Sequence, residues 1–363
     1  MSDSVTFPWP SIGTPIDLVA TPIPIIDEDR VAANIARVQT YMNQCDKSLR
    51  VHIKTHKLPA IARQQLSAGA VGINCQKLTE AEVFADAGFE DILLSYNIVG
   101  PKKLTRLQAL NSRVAKLKVV ADSGTVVEAL AIKFRPDRPL AVLVECDTGG
   151  GRCGVKTPGA VVSLAESIKT HASLEFAGIL TYPAIGSAGT VERFFAESMA
   201  LLADRGISCP IRSNGGSPDL FNSDIVPSAN EHRAGTYVYN DRSMVRVGHC
   251  RAEDVAIAML ATVVSRPSPG RAILDCGSKS LTSDLIGFDN YGLVEGFDDA
   301  RIVALYEEHA VVEFGRSFAE VGSAVKVIPN HACPISNLFD RVVFHRNGLV
   351  TRVEMVAARG MVW

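Results

Sequence analysis

Residues 51–57 read VHIKTHK, two histidines and two lysines in seven positions. A solvated basic patch has no use for Val51 and Ile53, and a buried strand has none for Lys54. The pattern places an amine where an apolar strand ends. A lysine there loses solvation, becomes nucleophilic and can condense with an aldehyde cofactor. If the strand continues regularly, His52 shares a face with Lys54 and can reach the cofactor or a metal-bound water. Lys57 lies beyond the strand end, where a helix start or a solvent-facing charge is expected. A second pair, His331 and Cys333 in PNHACP, stands two residues apart. In an extended segment both side chains project to one side, and imidazole with thiolate favours zinc by softness. Two ligands leave coordination positions open, as a catalytic metal site needs.

Other candidates sit in glycine-rich surroundings. Arg152 lies in VECDTGGGRCGV, where the backbone can approach a ligand closely; on residues alone, a surface ion pair is the favoured explanation. SNGGSP (213–218) and AGTY (234–237) nominate Gly215, Gly216, Gly235 and Thr236 for a phosphate, with Ser217 weaker, because glycines let amides point at an anion. Ordinary turns are the alternative. Tyr182 follows another apolar run, and packing alone would account for it.

These residues need elements to hold them. PIPIID (22–27) has the character of a short strand, and apolar residues at Val31, Ile35, Val38 and Met42 follow with helical spacing. Eight apolar runs come next: VHIK, VGIN, DILLS, KLKVVA, LAVLVEC, FAGILT, PIRSN and RAGTYVY, most of them followed by a helical pattern. Pro59 and Thr79 suit helix starts; Gly69 and Gly88 suit helix ends. The alternation predicts a (β/α)8 barrel over 22–250, in which functional side chains sit at the C-terminal ends of strands. An open doubly wound sheet is the rival, weakened because the first βα turn lacks GxGxxG. Past 250 the runs are strand-like, and RVVFHRNGLVTRVEM is a hairpin around RNG. An all-β domain over 251–363 is expected, with residues 1–21 packed on it.

Composition narrows the functional class. With 363 residues, 47% hydrophobic, the chain can build two domains, and a net charge of −2 makes no electrostatic case for nucleic acid or anionic membrane. No apolar run is long enough to span a bilayer, and MSDSVTFPWPSIG has no secretory-signal pattern. Eight scattered cysteines without a CxxC pair suggest reduced thiols, mostly buried, in the cytoplasm.

Together, VHIKTHK, GINCQKLTEAEVFADAGFEDILLSYNIV, VECDTGGGRCGV and HACP resemble the fold-type III pyridoxal phosphate enzymes. Within them the chain is similar to the metal-dependent branch of D-threonine aldolase, D-serine dehydratase and the 3-hydroxy-D-aspartate lyases. The resemblance runs from TPIPIIDEDRVAANI to AARG. It implies an alanine-racemase-like barrel plus β domain, a homodimer, and a small β-hydroxy-D-amino acid as substrate. It marks Lys54 as the carrier of pyridoxal 5'-phosphate, Arg152 as the partner of the phenolic oxygen, and Tyr182 as a neighbour of cofactor and substrate. His331 and Cys333 would hold a divalent metal: zinc or manganese, with magnesium and cobalt as alternatives. Two departures stand out. Asn214 occupies the place of a third glycine, and TYPAIG lacks the usual histidine after the tyrosine. The implied reaction is retro-aldol cleavage of the D-threonine aldolase type. β-Elimination by a D-serine or 3-hydroxy-D-aspartate dehydratase is the alternative, because Cys333 stands where several dehydratases have cysteine and some aldolases have aspartate. An amino acid racemase or a non-catalytic cofactor carrier is the weaker reading.

Overall fold

The structure, a computed structural model, describes residues 9–363. The chain divides into two compact units. One comprises the segment up to Asn34 with Val238–Gly360; the other comprises Ile35–Tyr237 with Met361–Trp363.

Strand β1 (Ile23–Asp27) precedes the long helix α1 (Glu28–Gln44). The second unit then closes a parallel barrel from eight strands in sequence order: β2 (Ser48–His52), β3 (Gly72–Cys75), β4 (Asp91–Asn97), β5 (Lys116–Ala121), β6 (Leu140–Cys146), β7 (Leu174–Thr181), β8 (Ile211–Gly215) and β9 (Glu231–Ala234). Most of these strands are apolar runs covered on both faces, as parallel strands under helices must be. Leu93, Val120, Leu143, Ala177 and Leu180 form one interior cluster. Pro59 opens the helix Pro59–Ser67, its missing N–H costing nothing in a first turn. Gly69 and Gly88 follow helix ends at positive φ (122° and 85°). The last strand stops at Ala234 rather than continuing to 239, and Thr236–Val238 turn into a 3-10 helix.

The barrel also buries an ion network that periodicity does not reveal. Arg50 on β2 is 3% exposed; it bonds Glu231 on β9 (2.9 Å) and Asp91 on β4 (2.6 Å), and Lys118 on β5 bonds Asp91 (2.9 Å). Gly72 on β3 makes room, since a Cβ there would lie 2.5 Å from the Arg50 guanidinium. Breaking one partner of such a network strands buried charge. Arg50→Met is therefore expected to destabilise the protein by about 3–5 kcal/mol, measurable as a fall in the urea midpoint; an unchanged midpoint would show the network to be dispensable.

The first unit is built on a nine-stranded sheet. Its further strands are β10 (Ile257–Ser268), β11 (Arg271–Leu274), β12 (Gly292–Val294), β13 (Arg301–Leu305), β14 (Ala310–Glu313), β15 (Ala324–Pro329), β16 (Arg341–Arg346) and β17 (Leu349–Met355). The main order is β13-β14-β11-β10-β1-β16-β17, with β15 pairing β10 and β12. This corrects the expected boundaries of 22 and 250. β1 pairs antiparallel with β10 and parallel with β16, not with the barrel. A closed barrel has no edge to offer a ninth strand, whereas Ile23, Ile25 and Ile26 are all buried here. Ile16 and Val19 join Ile23, Ile25, Leu260, Val343 and Val350 in one cluster. Gly13 and Ile16 donate backbone bonds to Val350 and Gly348. Residues 1–8 of the stretch expected to pack on this unit lie outside the described residues. The β16–β17 hairpin turns through Asn347 and Gly348, both at positive φ (50° and 77°), as a type I′ turn requires. Among the described residues no helix is long and apolar enough to cross a membrane.

Candidate functional site

Lys54 does not continue β2. The strand ends at His52, and Ile53–Thr55 form a 3-10 turn. The expected shared face of a regular strand is thus replaced by a cap. His52 Nδ1 accepts the Lys54 backbone N–H (3.4 Å), and its Nε2 lies 3.2 Å from Gln76 Oε1. An accepting Nδ1 puts the proton on Nε2, which donates to Gln76. Burial foremost, then the Lys54 charge, holds the His52 pKa well below the usual histidine range, so the ring is neutral. Gln76 is fixed in turn: its backbone N–H donates to Glu80 Oε2 (2.9 Å) and its side-chain amide to Ser95 O (3.2 Å). Lys57, expected at a helix start or facing solvent, is 5% exposed and pairs with Glu80 Oε1 at 3.1 Å. The buried Glu80 carboxylate requires that cation. His56 is fully buried; its Nδ1 accepts the Leu58 N–H, and burial lowers its pKa to about 3.

Three side chains from different strand ends meet at the barrel mouth. Lys54 Nζ lies 5.9 Å from the Tyr182 ring centroid, and the Arg152 guanidinium lies 5.0 Å from the same ring. Tyr182 is 45% exposed, so the group is open to a ligand. Gly150 lets its loop pass the tyrosine backbone, since a Cβ there would sit 2.9 Å from Tyr182 O. Gly216 (φ 113°) leaves open space beside the ring, where a Cβ would stand 3.6 Å from Tyr182 Cε2.

The phosphate candidates contribute differently from the expected amide cradle. Gly215 N–H donates to Asn214 Oδ1 (2.8 Å), Gly216 N–H to Arg233 O (2.8 Å) and Gly235 N–H to Ser217 Oγ (3.2 Å). Those three amides make internal bonds. Glycine is needed at 215 and 235 for close approach: a Cβ would lie 2.7 Å from Arg233 Nη2 and 2.5 Å from His52 O, respectively. Thr236 begins the 3-10 turn that follows β9.

Two charged residues were missed by motif reasoning. Arg233 on β9 is 5% exposed; it donates to Ser213 O (2.9 Å), Asn214 O (3.0 Å) and Thr181 O (2.7 Å), tying β7, β8 and β9 together below the mouth. Burial lowers its pKa to about 10. Glu145 on β6 is also 5% exposed; burial raises its pKa, against the pull of Arg152 and Arg233. Donor atoms of Asp122, Glu145 and Cys153 lie within 4.8 Å of one another. The two arginines already supply positive charge beside Glu145, which disfavours a cation there. The available signal was a lone charge inside an apolar strand, as in LAVLVEC.

The His331 and Cys333 pair belongs to the sheet unit. β15 ends at Pro329; His331 caps the helix Ala332–Leu338, and Cys333 lies in its first turn, not in an extended segment. Pro334 can follow because first-turn residues need no intrahelical N–H bond. Two buried residues brace this corner. Asp241 Oδ2 accepts the Ala332 N–H (2.9 Å), and the Asn330 side chain donates to Asn290 O (2.7 Å). His331 Nδ1 lies 2.9 Å from Asp284 Oδ2. Burial works against charge on His331, but Cys333 and Asp284 outweigh it and raise the pKa to about 9. Imidazole, thiol and carboxylate gathered in this way fit a divalent cation with mixed nitrogen and sulfur ligation. At the barrel mouth, an amine beside an aromatic ring and a guanidinium fits an aldehyde-bearing aromatic cofactor.

Residues 26–243 match the family model described as alanine racemase, N-terminal domain, and residues 256–345 match a putative serine dehydratase domain. The chain is 33% identical over 369 residues to D-threonine aldolase from Arthrobacter sp., covering 96% of this chain and 95% of that one. It is 31% identical over 349 residues to D-threo-3-hydroxyaspartate dehydratase from Delftia sp. (strain HT23), covering 86% and 90%. The crystal structure of D-threonine aldolase from Filomicrobium marinum is similar with a TM-score of 0.91 and 29% identity, covering 98% of this chain and 100% of that one. The chain belongs to the alanine racemase N-terminal domain family of fold-type III proteins, in the branch of the D-threonine aldolases and 3-hydroxy-D-aspartate lyases.

Proposed function

We propose that this protein is a pyridoxal 5'-phosphate- and divalent-metal-dependent lyase of β-hydroxy-D-amino acids, cleaving its substrate to glycine and an aldehyde. The observation that carries the proposal is the meeting of Lys54, Tyr182 and Arg152 at the C-terminal ends of barrel strands. When bound, pyridoxal phosphate draws electrons from the substrate Cα, and the divalent cation acidifies a hydroxyl on Cβ. Lys54 Nζ carries the cofactor covalently. His52 positions Lys54 through its backbone N–H, and Gln76 holds the neutral ring in place. Arg152 supplies positive charge for the phenolic oxygen, and Tyr182 offers its ring face to the cofactor. The phosphate is assigned to the loops after β8 and β9, which carry Gly215, Gly216, Gly235 and Thr236. His331 and Cys333 hold the cation, for which their nitrogen and sulfur donors favour zinc, with manganese as the alternative.

The two outcomes open to such a site differ in which proton leaves. Removal of the β-hydroxyl proton breaks Cα–Cβ, releases Cβ as an aldehyde and, once Cα takes up a proton, gives glycine. Removal of the Cα proton by Lys54, freed when the substrate amine displaces it, expels the β-hydroxyl as water, and hydrolysis of the resulting enamino acid gives a keto acid and ammonia. The Cys333 sulfur ligand favours this second, dehydratase reading. The active species is taken to be a homodimer, and eight cysteines that form no disulfide fit a reducing, cytoplasmic setting.

Product analysis tests the assignment. With D-threonine, D-serine and 3-hydroxy-D-aspartate, in the presence of zinc or manganese, glycine and an aldehyde are the expected products. Ammonia with a keto acid would select elimination. Interconverted enantiomers without either product set would replace the lyase with a racemase.

A further inference from the structure

The loop Thr282–Asn290 leads from the helix Ser278–Leu281 to β12 and holds an unusual backbone. Thr282 (φ 70°) and Ile286 (φ 39°) are β-branched residues in the left-handed region, a costly conformation that persists only where surroundings enforce it. The enforcing contacts are visible. The Arg242 and Arg246 guanidiniums both lie over the Phe288 ring, 4.2 Å and 4.1 Å from its centroid. Arg246 donates to Ile286 O (2.6 Å), and Arg242 donates to Asn290 Oδ1 (2.5 Å) and Asn330 Oδ1 (2.6 Å). Asn330 closes the frame by donating to Asp284 O (3.2 Å). A Cβ at Gly287 would press on the Arg246 guanidinium at 3.1 Å. The side chain this frame delivers is Asp284, whose Oδ2 stands 2.9 Å from His331 Nδ1.

We infer that Asp284 is the outer carboxylate of the cation site, that it turns His331 so that Nε2 is the ligating nitrogen, and that the Arg242–Phe288–Arg246 cluster is the brace holding it there. The inference rests on the assignment of His331 and Cys333 as metal ligands. A carboxylate accepting from one imidazole nitrogen fixes the tautomer and makes the other a better donor. Asp284, Phe288 and the two arginines are positioning residues.

The test is metal binding by the cofactor-loaded protein after removal of metal with a chelator. Zinc affinity is measured by competition with a chromophoric chelator, and the cobalt-substituted protein is followed by its visible spectrum. His331→Ala is expected to remove specific binding. Asp284→Asn, a nearly isosteric change on a side chain 42% exposed, should weaken zinc binding about 10–100-fold and shift the cobalt bands, with the cofactor spectrum unchanged. Phe288→Leu should weaken it in the same direction, by less. Nitrogen-15 NMR of His331 in the zinc-loaded protein should show Nε2 metallated and Nδ1 protonated. Wild-type zinc affinity in both Asp284→Asn and Phe288→Leu, or a metallated Nδ1, would overturn the inference while leaving the metal assignment intact. Wild-type affinity in His331→Ala would instead overturn the metal assignment.

Discussion

Lys54→Ala protein should fold, take up pyridoxal phosphate reversibly and fail to be labelled by it when borohydride is added. The backbone argues that the fold survives: the bond from Lys54 N–H to His52 Nδ1 does not involve the lysine side chain, and among the described residues Lys54 Nζ makes no bond that holds two elements together beyond its distant approach to the Tyr182 ring. What the substitution removes is the only atom of the residue that can bond an aldehyde. Lyase turnover should fall by at least 10²–10⁴-fold, roughly the contribution of a positioned proton-transfer group, with loss of covalent attachment added to it. Lys54→Arg is the useful companion. It keeps the charge beside Tyr182 but cannot condense, so it should be equally unlabelled. Borohydride-resistant cofactor in either variant, located by peptide mapping to another lysine, would end the assignment of residue 54. Lys57 is the neighbour such mapping must separate, and its burial against Glu80 makes it a poor nucleophile.

His331→Ala is expected to separate the two halves of the chemistry. The cofactor should still be fixed to Lys54, while turnover of β-hydroxy substrates becomes insensitive to added metal or chelator. A Lewis acid on a developing alkoxide is worth several kcal/mol, so about a thousandfold loss in kcat/KM is anticipated. Cys333→Ala should follow the same course. The local fold should tolerate both changes, because the corner is held by Asp241 on the Ala332 N–H and by Asn330. A variant that kept metal-stimulated turnover would place the cation elsewhere. Loss of cofactor labelling together with turnover would mean that residue 331 serves the fold and not a separate metal function.

Much of this was available from spacing. The eight apolar runs with intervening helical patterns specify the barrel because a parallel strand and its returning helix must each bury a face, and burial leaves a periodic mark. Asn347 and Gly348 specify a hairpin because two successive residues at positive φ favour those types. Lys54 stood out because an amine at the end of an apolar run has no packing role. Other features leave no such mark. β1 has the composition of a barrel strand, and only barrel closure explains why it pairs with β10 and β16 instead.

The sequence by itself determined the order of elements, the lysine placed at the end of an apolar run and the spacing of His331 and Cys333, since each depends on neighbours along the chain. The tertiary structure decided the partners of charge. It buried Lys57 against Glu80, stitched Arg50 to Glu231 and Asp91, set Arg233 beneath the mouth, and brought Asp284 to His331 across 47 residues. Electrostatic pairing acts through space with no period along the chain, so such contacts become legible only when the backbone has closed.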